Sequence, residues 1–279
     1  MAQLGQYNSL KIIKEVDFGL YLDGEKDGEI LLPKRYKPEK FDIGDVITVF
    51  IYTDSEDRII ATTLKPYAVC GEFAHLKVLS VSDFGAFLDW GLPKDLFVPF
   101  REQTQEMEVN GIYTVFVYID PDSKRIMASS KIDRFVDNIP PKYEAGQEVD
   151  LIITSKTALG FKAIINNVHS GILYSNEVFQ DLQKGQKIKG FIKKVREDDK
   201  IDLSLYKPGY NRVDDELSKI IEMLKENNSF LGVNDKTSSD TIYKVFGISK
   251  KVFKKAIGAL YKSKVIAIEE EGIRLLKND

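Results

Sequence analysis

Two pairs of aromatic residues, each placed around a glycine, are the first candidate binding residues in this 279-residue chain. Phe84 and Phe87 flank Gly85, and Phe18 and Tyr21 repeat the arrangement earlier in the chain. Exposed rings on a sheet can stack on nucleic-acid bases, worth roughly 1–3 kcal/mol per base without selecting one base. Residues three apart cannot share a face of a regular strand, so a bulge or the glycine must intervene. An alternative stays open, in which the rings fill a barrel or its rim.

A second group of candidate residues is a run of cations, uninterrupted by any acid, between residues 184 and 196. Its members are Lys184, Lys187, Lys189, Lys193, Lys194 and Arg196. Six unopposed cations concentrate a positive potential that attracts phosphate groups, and we predict phosphate binding here. Charged residues also guard the solvated edges of sheets, so the alternative of a purely solvated strand stays open.

A third group lies on a helix predicted from Ser249 to about Ser263, with an apolar side and a basic side. The apolar side consists of Phe253, Ile257 and Leu260, and the basic side of Lys251, Lys255 and Lys262, flanked by Lys250 and Lys254. In helix-turn-helix proteins the corresponding helix is presented to nucleic acid. A solvated lysine face is the open alternative. No Asn, Gln or Arg on this face can read base edges, which disfavours sequence-specific duplex recognition.

Other kinds of chemistry find little support in the sequence. The single cysteine, Cys70, and the two histidines form no disulfide framework and no set at zinc spacing. Asp83-Phe84-Gly85 also occurs in protein kinases, but no glycine-rich phosphate loop or His-Arg-Asp segment accompanies it. Acidic runs such as Asp198-Asp199 and residues 269–271 lie next to predicted turns, where charges are usually solvated. We predict no catalytic residue, no metal and no cofactor.

The charge of the chain is divided unevenly between its halves. The formal net charge of −3 consists of −7 over residues 1–140 and +4 over residues 141–279. An acidic half disfavours phosphate binding, whereas a basic half favours it. No signal peptide and no run of about 18 apolar residues is present, so we predict a cytoplasmic protein that does not enter a membrane.

A repeat positions the aromatic pairs. Gly19 and Gly85 are 66 residues apart, as are Pro33 and Pro99, and the apolar runs around them predict five short strands in each copy. Five strands in about 65 residues suit a small closed barrel. A third, degraded copy follows at a spacing of about 75 residues, with Gly160 and Tyr174 in place of Gly85 and Pro99.

The pattern becomes helical after the third copy. Helices are predicted over residues 213–227, 240–246 and 249–263, the second with Ser239 or Asp240 as its N-cap and Gly247 after its end. Two strands over residues 265–268 and 273–276 then form a hairpin. Three helices followed by a hairpin are typical of a winged helix. The domains are therefore predicted at residues 1–66, 67–137, 143–208 and 211–279.

The barrel copies resemble the S1 RNA-binding domain, an OB-fold. In that family the Phe-Gly-x-Phe segment lies on the nucleic-acid face with a later His and an Asp and Arg near the last strand. The resemblance implies binding residues in each copy: Phe84, Phe87 and Arg125, with Asp120, in the second; Phe18, Tyr21 and Arg58, with Asp54, in the first; and Tyr174 and Lys200 in the third. Pro33 and Pro99 replace the His, and the third copy has Leu159 and Lys162 in place of both aromatics.

Three such copies and a winged helix together resemble the conserved virulence factor B family of bacterial RNA-binding regulators. The fold class expected is mainly β, with three tandem S1-type OB-fold barrels followed by an α+β winged-helix domain. The resemblance implies a non-enzymatic regulator that acts after transcription and binds single-stranded RNA. The charge division predicts that the third barrel and the winged helix carry most of the affinity.

Two alternatives remain open at this point: an adaptor that docks on a ribosomal or RNA polymerase component, and a winged-helix regulator that binds DNA. The sequence leaves the RNA target, the pathway and the oligomeric state undetermined.

Overall fold

The computed structural model describes residues 2–175, 177–178, 181–207 and 212–276. The chain forms two compact units, Met1–Ile139 with Asn167–His169 and Pro140–Asn166 with Ser170–Asp279. It is mainly β, with three barrel-like sheets followed by a helical C-terminal domain, which confirms the predicted fold class. The predicted boundary between residues 208 and 211 lies outside the described residues, and the exact domain limits stay a prediction.

The first barrel closes five strands in the order β1-β2-β3-β5-β4. The strands are β1 (Tyr7–Val16), β2 (Gly19–Asp23), β3 (Glu29–Pro33), β4 (Val46–Thr53) and β5 (Ile59–Thr62). Alternate residues point inward, as the period of two requires, and Ile12, Leu20, Leu22 and Ile30 form part of the buried core. The opposite face of the β2–β3 hairpin is left for polar and aromatic side chains.

The second barrel repeats this plan in an open five-stranded sheet of order β10-β9-β6-β7-β8, whose end strands β8 and β10 lie against each other. The strands are β6 (Phe73–Ser82), β7 (Gly85–Leu88), β8 (Leu96–Pro99), β9 (Ile112–Ile119) and β10 (Ile126–Ser129). Gly85 pairs with Pro99 as Gly19 pairs with Pro33. The register of the two hairpins therefore confirms the 66-residue repeat.

The third barrel is closed again, in the order β11-β12-β13-β15-β14. The strands are β11 (Glu148–Lys156), β12 (Gly160–Ile165), β13 (His169–Tyr174), β14 (Lys187–Val195) and β15 (Ile201–Ser204). Its core contains Leu151, Ile153, Ala163 and Leu203. The strand order matches that of the first barrel, although the aromatic pair is missing here.

The glycine that follows the repeat's turn is required by a close approach of two strands. A Cβ atom on Gly85 would lie 2.3 Å from the Val98 carbonyl oxygen, where Gly85 also has a φ of +153°. The same atom would lie 2.2 Å from the Leu32 oxygen at Gly19 and 2.0 Å from the Leu173 oxygen at Gly160. No side chain fits such a gap, so this glycine belongs to the barrel architecture in all three copies.

The first two barrels share part of their cores. Phe50 on β4 packs edge-on against Trp90 of the second barrel, with ring centroids 5.9 Å apart. Tyr52 joins the same buried cluster, which also holds Val78 and Leu88 of the second barrel. The side-chain amide of Gln6 donates to the Cys70 carbonyl at 2.6 Å. The two barrels are therefore one packed unit.

The C-terminal domain contains α1 (Arg212–Glu226), β16 (Phe230–Leu231), α2 (Ser239–Phe246), α3 (Lys250–Lys262), β17 (Ile266–Ile268) and β18 (Ile273–Leu275). The predicted winged helix is confirmed, with one added short strand, β16, in a sheet of order β16-β18-β17. None of the helices in the described residues combines the length and apolar character needed to cross a membrane.

Helix caps explain the ends of α2 and α3. Ser249 accepts a hydrogen bond from the Val252 amide, as predicted, and Gly247 ends α2 in the left-handed conformation with a φ of +68°. The predicted N-cap of α2 was wrong. Ser238, not Ser239 or Asp240, accepts from the Thr241 amide, because the sequence offers several neighbouring cap residues and only the helix geometry selects one.

Candidate nucleic-acid interface

The aromatic residues of the second barrel lie on the outer face of the β7–β8 hairpin. Phe87 pairs with Phe97 across the two strands, and their ring centroids are 5.0 Å apart. We call these two rings the ring platform. Phe84 lies in the turn before β7, and 77% of its surface is exposed. The alternative in which Phe84 fills the barrel is therefore wrong.

The turn that carries Phe84 is held by its own backbone and by Ser82. The Ser82 hydroxyl accepts from the Phe84 amide at 3.2 Å and donates to the Gly85 carbonyl at 3.3 Å. The Phe100 amide donates to the Phe84 carbonyl at 3.2 Å. Because Phe84 precedes β7 rather than lying in it, the alternation of a regular strand does not apply to Phe84 and Phe87.

A groove of about 630 Å³ runs beside these rings, within the unit formed by the first two barrels. Its lining residues are Ser55, Asp57, Phe84, Phe87, Pro93, Lys94, Asp95, Phe97, Arg125, Ile126 and Met127. We call it the aromatic groove. It combines the three rings with two cations and two carboxyl groups. A flat, unstacked base and its phosphate could both find partners there.

The two cations of the aromatic groove are anchored by the first barrel. Asp57 accepts from Lys94 at 3.1 Å and from the Arg125 guanidinium. Lys94 also donates to the Asp54 carbonyl at 2.6 Å. The hydrogen bond from Lys94, with the charge of Arg125, holds the pKa of the Asp57 carboxyl below its ordinary value. Both cations therefore have fixed positions at the groove wall.

Asp120 does not pair with Arg125, although the resemblance groups them. The Asp120 side chain is buried, accepts from the Ser123 amide at 3.0 Å and from its hydroxyl at 2.7 Å, and pairs with Arg101 at 3.3 Å. These bonds, led by the Ser123 amide, lower the pKa of the carboxyl. Asp120 thus stabilises the β9–β10 turn, whereas Arg125 lines the aromatic groove.

The equivalent face of the first barrel has rings that are partly covered. Phe18 is 57% exposed and meets Tyr21 edge-on, with centroids 6.2 Å apart. Lys14 lies over the Tyr21 ring at 4.8 Å and pairs with Glu29 at 2.6 Å. Arg58 pairs with Asp54 at 2.7 Å and with Glu56 at 3.0 Å.

The equivalent face of the third barrel is polar. Leu159, 66% exposed, occupies the turn position of Phe84. Arg196 donates to the Tyr174 hydroxyl and to Asp202, at 2.8 Å, and the Tyr174 hydroxyl donates to Asp202 at 3.1 Å. Tyr174 and Arg196, both predicted to bind RNA, are therefore brought together in one network.

One position at the start of the last hairpin is acidic in the first two barrels and basic in the third. The Asp54 amide donates to the Arg58 carbonyl, and the Asp120 amide to the Arg125 carbonyl, at the start of the last hairpin. In the third barrel the Arg196 amide makes this bond, to Lys200. An arginine therefore stands where the other barrels have aspartates.

The basic run of the third barrel is less free than its sequence indicates. Lys189 pairs with Asp150 at 2.8 Å, Lys193 pairs with Glu177, and Arg196 pairs with Asp202. The expectation of six unopposed cations is wrong for these three, because neighbouring segments supply the acids. Outside the run, Lys200 pairs with Asp198 at 2.7 Å. Within the described residues, Lys184, Lys187 and Lys194 have no ion pair.

The lysines of α3 follow the predicted division of that helix. Phe253, Ile257 and Leu260 are buried in the domain core, while Lys251, Lys254 and Lys255 are exposed. Lys254 approaches Asp235 at 3.7 Å. Lys250, half-buried, donates to the Lys236 carbonyl at 3.4 Å. Lys251, Lys255 and Lys262 have no ion pair in the part of the chain described, so they present the least compensated charge of this helix.

The aromatic groove contains four residues that were not predicted from the sequence: Phe97, Lys94, Asp57 and Asp95. The repeat contained a signal for Phe97, since it pairs with Phe87 as Leu31 pairs with Tyr21. No such signal existed for Asp57, which reaches the groove from another copy. Among the described residues, no three His, Cys, Asp or Glu side chains are grouped to hold a metal ion.

Comparison with known proteins agrees with this architecture. The profile described as S1 domain matches residues 4–64 and 70–130, and the profile described as CvfB-like winged helix domain matches residues 218–275. The fold and these matches define a protein of S1 domains joined to a winged helix. These matches and the relatives described next confirm the predicted resemblance to the conserved virulence factor B family.

The relatives match over most of their length. Bacillus subtilis YitL is 26% identical over 93% of this chain and 89% of that protein. Conserved virulence factor B of Staphylococcus epidermidis is 24% identical over 98% of this chain and 95% of that protein. A crystal structure of a multidomain protein with nucleic acid binding domains from Streptococcus pneumoniae is 26% identical, covers 98% of both chains and has a TM-score of 0.43.

Proposed function

We propose that this protein binds single-stranded RNA without catalysing a reaction, and that it regulates gene expression after transcription. The observation that carries the proposal is the aromatic groove. Phe84 is exposed there beside the ring platform, and Arg125 is fixed at the same wall. Rings offer a surface for bases, and the guanidinium offers a partner for phosphate or for a base face.

The geometry favours single strands over duplexes. A base in a duplex is already stacked on both sides, so an exposed ring can meet its face only after the base has been unstacked. Single strands present such faces at a lower cost, because their bases are not held in pairs. The S1 domain match supports RNA as the polymer, and the name of the staphylococcal relatives supports a regulatory role.

The basic half of the chain supplies the second part of the proposal. Lys187 and Lys194 on β14, and Lys251 and Lys255 on α3, are exposed cations without ion pairs in the described residues. Contacts of this kind with phosphates add affinity that falls as salt rises. Weak sites joined in one chain raise each other's effective concentration, so stacking in one unit and phosphate contacts in the other reinforce binding.

A competition experiment on the full-length protein tests the proposal. A labelled single-stranded RNA is displaced by unlabelled single-stranded RNA, single-stranded DNA or duplex, and fluorescence anisotropy is recorded. We expect single-stranded RNA to compete best. A preference for duplex DNA would indicate a winged-helix DNA-binding regulator instead. Absence of nucleic-acid binding, with a pull-down of ribosomal or RNA polymerase components that survives nuclease, would indicate an adaptor.

A further inference from the structure

The rim of the ring platform carries a carboxyl group, that of Asp95, for which the described residues supply no hydrogen-bond or ion-pair partner. Asp95 lies immediately before β8, two residues before Phe97, whose partner across the hairpin is Phe87. Asp95 lines the aromatic groove and is half-buried. In the described part of the chain its side chain makes no hydrogen bond or ion pair. Burial, and then the nearby Asp89, raise the pKa of this carboxyl.

The first barrel shows what the same position looks like when it is neutralised. Glu29 lies two residues before Leu31, as Asp95 lies two residues before Phe97. Lys14, opposite Tyr21, pairs with Glu29 at 2.6 Å. In the second barrel the residue opposite Phe87 is Ser80. Ser80 therefore stands at the position where the first barrel has the cation that neutralises Glu29.

Neighbouring polar groups in the second barrel are already engaged. Lys94 and Arg125 both bond to Asp57. Asp89 accepts from the Gly91 amide at 2.9 Å, which commits it to its own turn. Asp95 is thus a carboxylate beside the ring platform that the described residues leave unengaged.

We propose that Asp95 accepts hydrogen bonds from the edge of a guanine base stacked on the ring platform, so that the aromatic groove prefers guanine in single-stranded RNA. This inference rests on the proposed function. An ionised carboxylate can only accept hydrogen bonds. Guanine presents two adjacent donors on its Watson–Crick edge, N1–H and N2–H, which match the two oxygens of a carboxylate. Adenine and cytosine place an acceptor beside their amino group, and uracil places a carbonyl on each side of its N3–H.

The test compares short oligouridines that carry one central guanosine, inosine, adenosine, cytidine or uridine. Anisotropy with the full-length protein should show guanosine bound about tenfold more tightly than uridine, the size expected of a good bidentate contact. Inosine, which lacks the N2 amino group, should lose most of that gain. Acidification should also remove the preference, because a protonated Asp95 no longer offers two acceptors.

Two variants remove the acceptor in different ways. Asp95→Asn replaces one oxygen by an amide donor. Ser80→Lys introduces the cation that pairs with the equivalent carboxylate in the first barrel. Both should bind the guanosine and uridine oligomers equally, because neither variant offers an unpaired carboxylate beside the ring platform. Asp133→Asn, an exposed aspartate outside the groove, is the matched control and should retain the preference.

The outcomes separate this inference from the proposed function. Equal binding of guanosine and uridine oligomers by the unmodified protein, with binding still weakened by Phe84→Ala, overturns the role of Asp95 and leaves single-strand binding intact. A guanine preference that persists in both Asp95→Asn and Ser80→Lys also overturns it. Failure to bind any oligomer overturns the proposed function itself. Fluorescence of Trp90, buried in the second barrel, checks that each variant is folded.

Discussion

The second and third barrels build the same face from the same backbone and place opposite chemistry on it. In the second, Phe84 and the ring platform border a groove with Arg125. In the third, Leu159 takes the turn position and a Tyr174–Arg196–Asp202 network covers the face. Rings suit bases, whereas exposed lysines beside a hydrogen-bonded network suit phosphates.

This difference distinguishes residues that the barrel fold requires from exposed residues that determine what the barrel can bind. A Cβ atom added at Gly85 or Gly160 would collide with a backbone oxygen of the next strand, so the strand geometry requires glycine at both positions. Phe84 and Leu159 project from the turn beside those glycines, where either side chain is sterically acceptable. A repeat can therefore exchange a stacking surface for a charged one without altering its strand order.

The largest expected effect concerns the glycine contact. Gly85→Ala should destabilise the second barrel by roughly 3 kcal/mol, because the new Cβ would meet the Val98 oxygen. Trp90 is the single tryptophan and lies in that barrel, so its fluorescence in a urea titration reports the loss. Gly160→Ala should destabilise the third barrel and leave the Trp90 midpoint unchanged.

Gly258→Ala provides the control for both glycine variants. Gly258 lies in α3 and an added Cβ has no atom within 4 Å, so helix propensity should stabilise this domain by up to about 1 kcal/mol. A Trp90 midpoint that is unchanged in Gly85→Ala would show that the close approach of the strands does not constrain this position.

The next effect compares the two turn residues directly. Phe84→Ala should weaken binding of single-stranded RNA about tenfold, because this variant removes one stacking surface. Leu159→Ala removes an exposed side chain at the matching position of the third barrel and should change affinity by less than about twofold. Anisotropy titrations of the full-length variants measure both. Equal losses in the two variants would contradict the assignment of stacking to the second barrel.

A smaller effect is expected for the basic strand of the third barrel. Replacing Lys187 and Lys194 by Gln should reduce affinity and lower the slope of log affinity against log salt by about 0.7 for each phosphate that is no longer neutralised. Replacing Lys189 and Lys193 should lower the slope less, because both already pair with acids. Identical slopes in the two double variants would mean that the ion pairs do not limit phosphate binding.

The smallest effect concerns Asp57 of the first barrel, whose carboxylate pairs with Lys94 and Arg125 of the aromatic groove. We call these two ion pairs the bridge. Asp57→Asn should lower stability by roughly 0.5 kcal/mol at neutral pH, as expected of an exposed ion pair. Lys94 and Arg125 lower the pKa of Asp57 in the folded protein, so the bridge stabilises above the ordinary carboxyl pKa and is lost as the pH falls through the lowered value.

This prediction is tested by measuring how the difference in stability between the original protein and Asp57→Asn depends on pH. Urea midpoints from Trp90 fluorescence should differ between the original protein and Asp57→Asn at neutral pH and should converge in acid. Asp122→Asn, an exposed aspartate in the β9–β10 turn, is the control and should match the original protein throughout. A difference that grows on acidification would contradict the role of the bridge.

The sequence predicted the barrels well because their landmarks repeat. Gly19 pairs with Pro33 in the first barrel, and Gly85 pairs with Pro99 at the same place in the second barrel. The short strand β16 was missed, since Phe230 and Leu231 are too few for a pattern. The N-cap of α2 was also predicted wrongly, because several neighbouring residues can cap a helix and the sequence pattern does not distinguish them.

The candidate site was less predictable because it depends on contacts that no single repeat contains. Asp57 anchors Arg125 from a different barrel, and Asp150 neutralises Lys189 from the paired strand β11. Neither partner is near in sequence. Spacing alone indicated which residues carry charge but could not indicate which charges are already compensated.

The buried contact between Phe50 and Trp90 has a consequence for the history of the repeat. A freshly duplicated domain can be deleted or shuffled alone, because it buries nothing of its neighbour. Once Phe50 and Tyr52 became part of a shared core, deletion of either copy would expose large aromatic surface on the survivor. The first two copies therefore depend on each other for their stability, although the sequence shows two separate repeats.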